Sequence, residues 1–440
     1  MPFGVSGLKK TFAGIAALVA ASVAIVSCGS GNGSSANQHK PSGLPFRAFV
    51  SNPLFASGAT TAPVLNIVNA SLDKLSTSTV SLLATATQPQ LMALSPDLSR
   101  TLVFSPAGNA IAVIDNANEA VATSNGTTPV PAISLPGPTE SIFVAKDNVT
   151  AYAAIPSAQT NDQAPGAVLQ LDTTTGGIEA TIPVAGAHFI VPSPDGNHVL
   201  VFSDNSDSIT DIAVVSIGSN EDPRTTITGF DRPVWAIFNN GGTAYVFNCG
   251  AECGGTSAGI ATYTIGSSGP SLTTPVSAAT YGILNGNLMY VAGTPPHTAC
   301  GAGTAATTCG TLTILNVNSM GVVGGPIIIT DGYHDRMQMG SNGQLFVGSH
   351  SCTDINILGG EVRGCLSIFN TTNSKVVVPP QIGDATGIQP IPGRNVVYVC
   401  EGGAFQIFDT TTDKLLVQTI TTDIIGQSYD VKLVDPPQSQ

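Results

Sequence analysis

Positive charge is scarce in this sequence. Its 440 residues hold 15 Lys and Arg against 28 Asp and Glu, a formal charge of −13. Phosphate backbones are gripped by clustered cations, so this composition excludes a protein that tracks nucleic acid. Charge of either sign is thin. Asp, Glu, Lys and Arg make up 10% of the chain, too little to coat the solvent faces of amphipathic helices. Tryptophan occurs once, at Trp235. Neither an H-E-x-x-H pair nor a phosphate-binding P-loop is present. What the chain does have is apolar residues, 42% of the total, enough to bury a large core and to exclude disorder. They come with 48 glycines and many Val, Thr and Ser. That mixture suits pleated strands and tight turns, so the expected class is all-β.

The amino terminus reads as a leader. MPFGVSGLKK carries Lys9 and Lys10, and residues 11–26, TFAGIAALVAASVAIV, carry no charge. That uncharged run is shorter than the ~20 residues a spanning helix needs and fits the apolar part of a secretory signal. Ile25-Val26-Ser27-Cys28 resembles the lipobox of bacterial lipoproteins. The resemblance implies that residues 1–27 are a signal peptide and that Cys28 becomes the acylated first residue. Gly29 follows that cysteine, where Asp would mark retention at the inner membrane in some bacteria. The resemblance therefore favours the outer membrane of the cell envelope. Removing the leader takes away two of the 15 basic residues and none of the 28 acidic ones, which leaves a formal charge of −15. Such a chain is repelled by anionic lipid surfaces, so the acyl anchor would do the holding. Residues 28–44 then read as the lipidated cysteine and a flexible polar tether.

One unit recurs through residues 45–437. A tight turn leads into an apolar strand, as in SPDLSRTLVFS (95–105), SPDGNHVLVFS (193–203), NNGGTAYVFN (239–248) and PGRNVVYVC (392–400). A second strand follows each, such as AIAVID (110–115), DIAVVS (211–216) or FQIFDT (405–410), and then a polar turn and a third strand such as EATIPV (179–184) or LLVQTI (415–420). The period is about 45 residues, that of four-stranded propeller blades. Eight sets can be counted, with seven as the alternative. The first set, beginning FRAFVS at 46, has no innermost strand before it. SYDVKLVD (428–435) has no outer strands after it, so it is expected to complete the N-terminal blade and to close the ring. The SPDG turn at 193–196, the AYVFN strand at 244–248 and the FDTTTDKLL turn at 408–416 resemble YVTN-type β-propeller repeat proteins, extracytoplasmic propellers of bacteria and archaea. A literal YVTN tetrad is missing, and the later blades carry long insertions.

Cysteines fall into three loops between the second and third strands of neighbouring blades: Cys249 and Cys253, Cys300 and Cys309, Cys352 and Cys365. Their spacings differ, which argues against one metal site, and an exported domain sits where disulfides persist. Three local staples are expected. Cys400 has no partner in its short loop and reads as a buried, inert thiol.

In a propeller these stapled loops share a face with the entries to the innermost strands. Counting back from each turn places Gln90, Glu140, His188, Asp335 and Thr386 at the channel mouth, with Arg232, Tyr281, His334, Arg336 and Tyr429 beside them. A polar ring around a concave mouth is a binding site by default, although water-filled mouths are polar in any case. Trp235 is expected to pack between blades. DNSDSITD (204–211) lacks the spacing of a calcium loop and reads as a solvated turn. His297 and His350 read as exposed loop residues.

The resulting expectation is a lipid-anchored binding platform for a protein or small ligand, monomeric, without cofactor and without nucleic acid. The alternative is an enzyme. Propellers similar to this one include lactone hydrolases and quinone-cofactor dehydrogenases, which would make Glu140, His188 and Asp335 acid/base or metal candidates. A purely structural envelope protein is the third class.

Overall fold

The computed structural model describes residues 41–437 apart from 55, 58–59, 62, 83–84, 86–87, 162–163, 296–299, 301–307, 354, 358–360 and 417–422. The leader, Cys28, His297 and most of the third strand expected at 415–420 lie outside the described residues.

A strand whose both faces are covered is buried along its length and mostly apolar, and the second strand of each blade, counted from the axis, is so. Arg47–Asn52, Arg100–Ser105, Thr150–Ile155 and Val396–Glu401 are buried along all or nearly all of their length. Outer strands such as Lys74–Ser81 and Gly177–Pro183 alternate towards solvent. Eight of the sheets formed by the described residues are antiparallel blades, and three two-stranded hairpins lie outside them. Seven of the blades are four-stranded. In blade 2 the outer edge is made by two short pieces, Ala120–Val121 and Ile133–Ser134, both paired with Ala110–Asp115.

The innermost strands are Met92–Leu94, Ser141–Val144, Ala187–Pro192, Pro233–Phe238, Tyr281–Asn285, Tyr333–Met339, Ala385–Pro390 and Val431–Leu433. Each touches the next in cyclic order, and the last touches the first. The fold is an eight-bladed β-propeller. The C-terminal strand Val431–Leu433 pairs with Arg47–Asn52 and is the innermost strand of the N-terminal blade, as expected.

The core is divided into eight clusters, one at every interface between blades. The period of two along a strand explains the division. In blade 5, Ala244 and Val246 join the cluster shared with blade 4, while Tyr245 and Phe247 join the one shared with blade 6. In blade 8, Tyr398 and Cys400 face blade 1 while Val397 and Val399 face blade 7. Each fully buried aliphatic or aromatic side chain contributes about 1.5–3 kcal/mol. Cys400 is a free, buried thiol of the last interface, with burial holding its proton on.

One strand lies off its expected register. The residues expected as DIAVVS (211–216) instead split. Ser208–Ala213 is the strand, and Val214–Ser216 is a single helical turn. Ile209 and Ile212 are the buried anchors, while Val215 is 85% exposed. The stretch 204–211 is therefore not a solvated turn throughout: its second half is sheet.

Ring closure is held by charge as well as by pairing. The Arg47 guanidinium is 1% exposed. Its Nε and Nη2 donate to the Asp435 carboxylate at 2.9 and 2.8 Å, and Nη1 donates to Glu119 at 2.6 Å and to the Asn116 carbonyl at 2.8 Å. Residues from both ends of the chain and from blade 2 thus meet at one cation. Ser42 donates to the same Glu119 through its backbone N–H, at 2.9 Å. A buried carboxylate stripped of its partner is costly. Arg47→Met should lower the unfolding free energy by about 3–5 kcal/mol, read from denaturant midpoints. A loss under about 1 kcal/mol, the worth of an exposed pair, would show that the closure does not depend on this cation.

Candidate functional site

Four innermost strands break register once near their start. The breaks lie between Ala187 and Phe189, Pro233 and Trp235, His334 and Arg336, and Ala385 and Gly387. The residues left unpaired are His188, Val234, Asp335 and Thr386. A β-bulge bends its strand and re-aims the extra side chain. Three of these four are residues that counting from the turns placed at the channel mouth.

Three adjoining cavities fill the mouth and upper channel. The first, of about 330 Å³, is lined by His188, Asp204, Arg232, Cys253, Tyr333 and His350, among others. The second, of about 340 Å³, reaches Trp235, Tyr281, Arg336 and Lys432. The third, of about 260 Å³, is lined by Gln90, Thr386, Tyr429 and Asp384. Glu140 lines all three, and Asp335 and Arg336 line two. Nine of the ten residues expected at the mouth are brought together here.

His334 is the tenth, and the structure puts it in the wall. It is fully buried, its Nε2–H donates to the Thr330 carbonyl at 3.0 Å, and Nδ1 lies 3.4 Å from Thr294 Oγ1. Burial pushes its pKa down to about 4, so it is a neutral structural imidazole. The bulge at Asp335 separates His334, which stays in the wall, from Arg336, which lines the channel.

His188 does the opposite. Its Nδ1 lies 2.6 Å from Asp204 and its Nε2 3.2 Å from Glu140. Burial alone would lower its pKa, but the two carboxylates overcome that and raise it to about 9. At neutral pH it is an imidazolium with both N–H groups spent. Glu140 is held below the ordinary carboxylate range by that hydrogen bond. Asp335 forms a second cluster. Its carboxylate lies 3.0 Å from Arg336 and 3.5 Å from His350. Burial works to raise Asp335, and Arg336 and His350 hold it below its usual value. Tyr333 sits beside His350, ring centres 5.3 Å apart, and its phenol is pushed up by burial and by the carboxylates around it. Among the described residues no group of three or more His, Cys, Asp or Glu is arranged to hold a metal ion.

The staples are present: Cys249–Cys253, Cys300–Cys309 and Cys352–Cys365, with Cα atoms 5.6, 5.1 and 5.6 Å apart. The ring closed by Cys249 and Cys253 needs its glycine. A Cβ on Gly250, at φ +61°, would lie 2.3 Å from the Ala258 nitrogen. Carboxylates from the entries to the innermost strands tie these loops down. Asp231 accepts from the backbone N–H groups of Thr256 and Ser257, Asp331 from Thr353, and Asp384 from Ser351. Glu252, inside the first ring, accepts from the Thr294 N–H of the next blade, and burial raises its pKa to about 8. Gly255-Thr256-Ser257-Ala258-Gly259 has the form G-x-S-x-G. It runs from the stapled loop into the antiparallel strand Gly259–Thr264 rather than from strand to helix, so it is no nucleophile elbow.

Sequence reasoning missed Asp204, Asp384 and Lys432. It also read His350 as an exposed loop residue, whereas it ends the strand Gln344–His350 and pairs with Asp335. Trp235 packs between blades, as expected. It also lines the second cavity.

The two histidines titrate in opposite senses. The stabilisation from His188 is complete below its ordinary value of 6.5 and is lost as pH rises through about 9. That from neutral His334 is present above 6.5 and is lost as pH falls towards about 4. Imidazole resonances followed by NMR should show one midpoint near each value, and Asp204→Asn should lower the upper one. An upper midpoint near 6.5 that ignores Asp204→Asn would disprove the clamp.

No known family model matches this chain, and no curated protein matches it in sequence. Solved structures do match it in fold. A dihydro-heme d1 dehydrogenase superposes with a TM-score of 0.57 at 11% identity, over 91% of this chain and 79% of that one. The Dos1 propeller gives 0.53 at 12% identity, over 78% and 86%. Hydrazine synthase of Kuenenia stuttgartiensis gives 0.50 at 14% identity, over 76% and 96%. At these identities the likeness is one of propeller architecture alone.

Proposed function

We propose that this chain is a lipid-anchored, extracytoplasmic β-propeller of YVTN type that serves as a binding platform in the bacterial cell envelope, with its site at the channel mouth. The observation that carries this reading is the convergence of bulged, charged residues from separate blades on one concave rim, beside loops stapled by disulfides. A preformed rim binds without first ordering itself, which lowers the entropy cost of association. Its cavities are of the size that small ligands fill.

An enzyme of lactonase or quinoprotein type is supported less well. A base or a metal ligand needs a free nitrogen lone pair, and His188 offers none while it donates to both Glu140 and Asp204. The chain has one tryptophan, where a quinone site would draw on several blades.

Two measurements test the reading. Cys28→Ala should move the protein from the membrane to the soluble fraction of the envelope, and retention in the membrane would refute the lipid anchor. In-situ crosslinking of the native chain should capture a specific partner or retained ligand. A variant with Glu140, His188, Asp335 and Arg336 changed to Ala, shown by circular dichroism to be folded, should lose it. Equal capture by both forms would place the site elsewhere.

A further inference from the structure

The wall of the second cavity has a composition that the charged rim does not explain. Phe143, Phe189, Trp235, Tyr281 and Tyr333 come from the innermost strands of five consecutive blades, and all line that cavity. Three of them form an arc of touching rings. Phe189 and Trp235 have centres 6.1 Å apart, and Trp235 and Tyr281 5.0 Å apart. Each is half-buried, and Phe143, Phe189, Trp235 and Tyr281 also pack in the clusters between blades while facing the channel.

The polar tips of this wall are unspent. Among the described residues, the hydroxyls of Tyr281, Tyr333 and Tyr429 and the indole N–H of Trp235 make no hydrogen bond. Glu140 uses one carboxylate oxygen on His188, and its side chain is 63% exposed. Arg336 uses Nε and Nη1 on Thr386, on its neighbour Asp335's carbonyl and on the Asp335 carboxylate, and among the described residues Nη2 has no partner.

Charge narrows the choice of ligand. The four carboxylates lining the cavities are Glu140, Asp204, Asp335 and Asp384. Arg232, Arg336, Lys432 and the imidazolium of His188 face them, and His350 lies against Asp335. A cationic ligand would meet Arg336 and Lys432, and an anionic one would meet Glu140 and Asp335. An apolar ligand would leave the phenols and the indole N–H dry and unpaired, each at a cost. The remaining chemistry is a neutral molecule with apolar faces and many hydroxyls at its edge. Aromatic rings cover the first, and fixed donors and acceptors of both kinds meet the second.

We propose that the channel binds a neutral carbohydrate, its ring faces stacked on the arc of Phe189, Trp235 and Tyr281 and its hydroxyls held by Glu140, Arg336 and the phenols of Tyr281 and Tyr333. This rests on the platform reading and names the ligand class for the same site.

Trp235 is the chain's single tryptophan, so its emission reports on the site alone. The purified folded chain is titrated with maltotriose, cellotriose, N,N′-diacetylchitobiose and a neutral fraction of bacterial surface glycan. Choline and digalacturonate serve as cationic and anionic probes. A saturable change with at least one neutral sugar, and none with the charged probes, is expected. Glu140→Gln should weaken that binding by about 10–100-fold and Tyr281→Phe by about 3–10-fold. Both variants preserve volume, and an unchanged circular dichroism spectrum confirms their fold. Saturation by choline or digalacturonate with none by the sugars overturns the ligand class. So does silence with every probe. Equal sugar binding by native and Glu140→Gln chains overturns the site. In each case the crosslinking comparison still reports on the platform by itself, since it reads capture and loss without reference to sugar.

Discussion

A blade of this propeller has two apolar faces and cannot stand alone. That constraint governs everything else in the molecule. Both faces are satisfied only if every blade has a neighbour on each side, which forces a closed ring. The eight interface clusters are this requirement written in side chains. The ring has one joint that the chain does not cross covalently, and it lies inside blade 1. There Val431–Leu433 meets Arg47–Asn52, and Arg47 gathers Asp435 and Glu119. Hydrophobic contact would close the ring at any register that buries area. The buried cation admits one register, because only there are its carboxylates in place.

Closure also creates the site. Eight innermost strands converge on an axis where no sheet neighbour remains, so their first residues face water and each other. Bulges exploit this position. They detach one residue from the ladder and turn it inward, where His188 and Asp335 find partners from other strands. The outcome depends on a single residue of register. Of two adjacent side chains, His334 is a neutral core imidazole and Asp335 a rim carboxylate. The same side-chain type takes opposite protonation states at His188 and His334 because two carboxylates hold the proton on one, while full burial, which the Thr330 carbonyl does not offset, strips it from the other.

The architecture was legible in the sequence because a blade repeats. Turns, apolar strands and the unpartnered first and last segments each recur or fail to recur, and the closing strand follows from that count. The mouth was legible for the same reason, since fixed spacing from a turn is a position in space. What the spacing could not carry was side-chain pairing between strands. Asp204 follows its strand rather than preceding it, and only the folded sheet brings it 2.6 Å from His188. His350 and Lys432 reach the channel from strands whose other residues are core. The register of Ser208–Ala213 was missed because Val214 and Val215 extend an apolar run that the backbone abandons for a turn. The string at 255–259 carries a catalytic motif's letters without its geometry, and only the antiparallel strand that follows it shows the difference.

The entry point of the chain sets which way the molecule looks. Innermost strands begin at the mouth and run away from it, so the second strands begin on the far side. Arg47 starts a second strand, and Ser42 is fixed to Glu119 in a turn on that same far side. The described chain therefore enters the propeller at its back, on the face opposite the mouth. The opening and its stapled loops lie on the other face, so the strands that close the ring leave the mouth clear of the chain's entry.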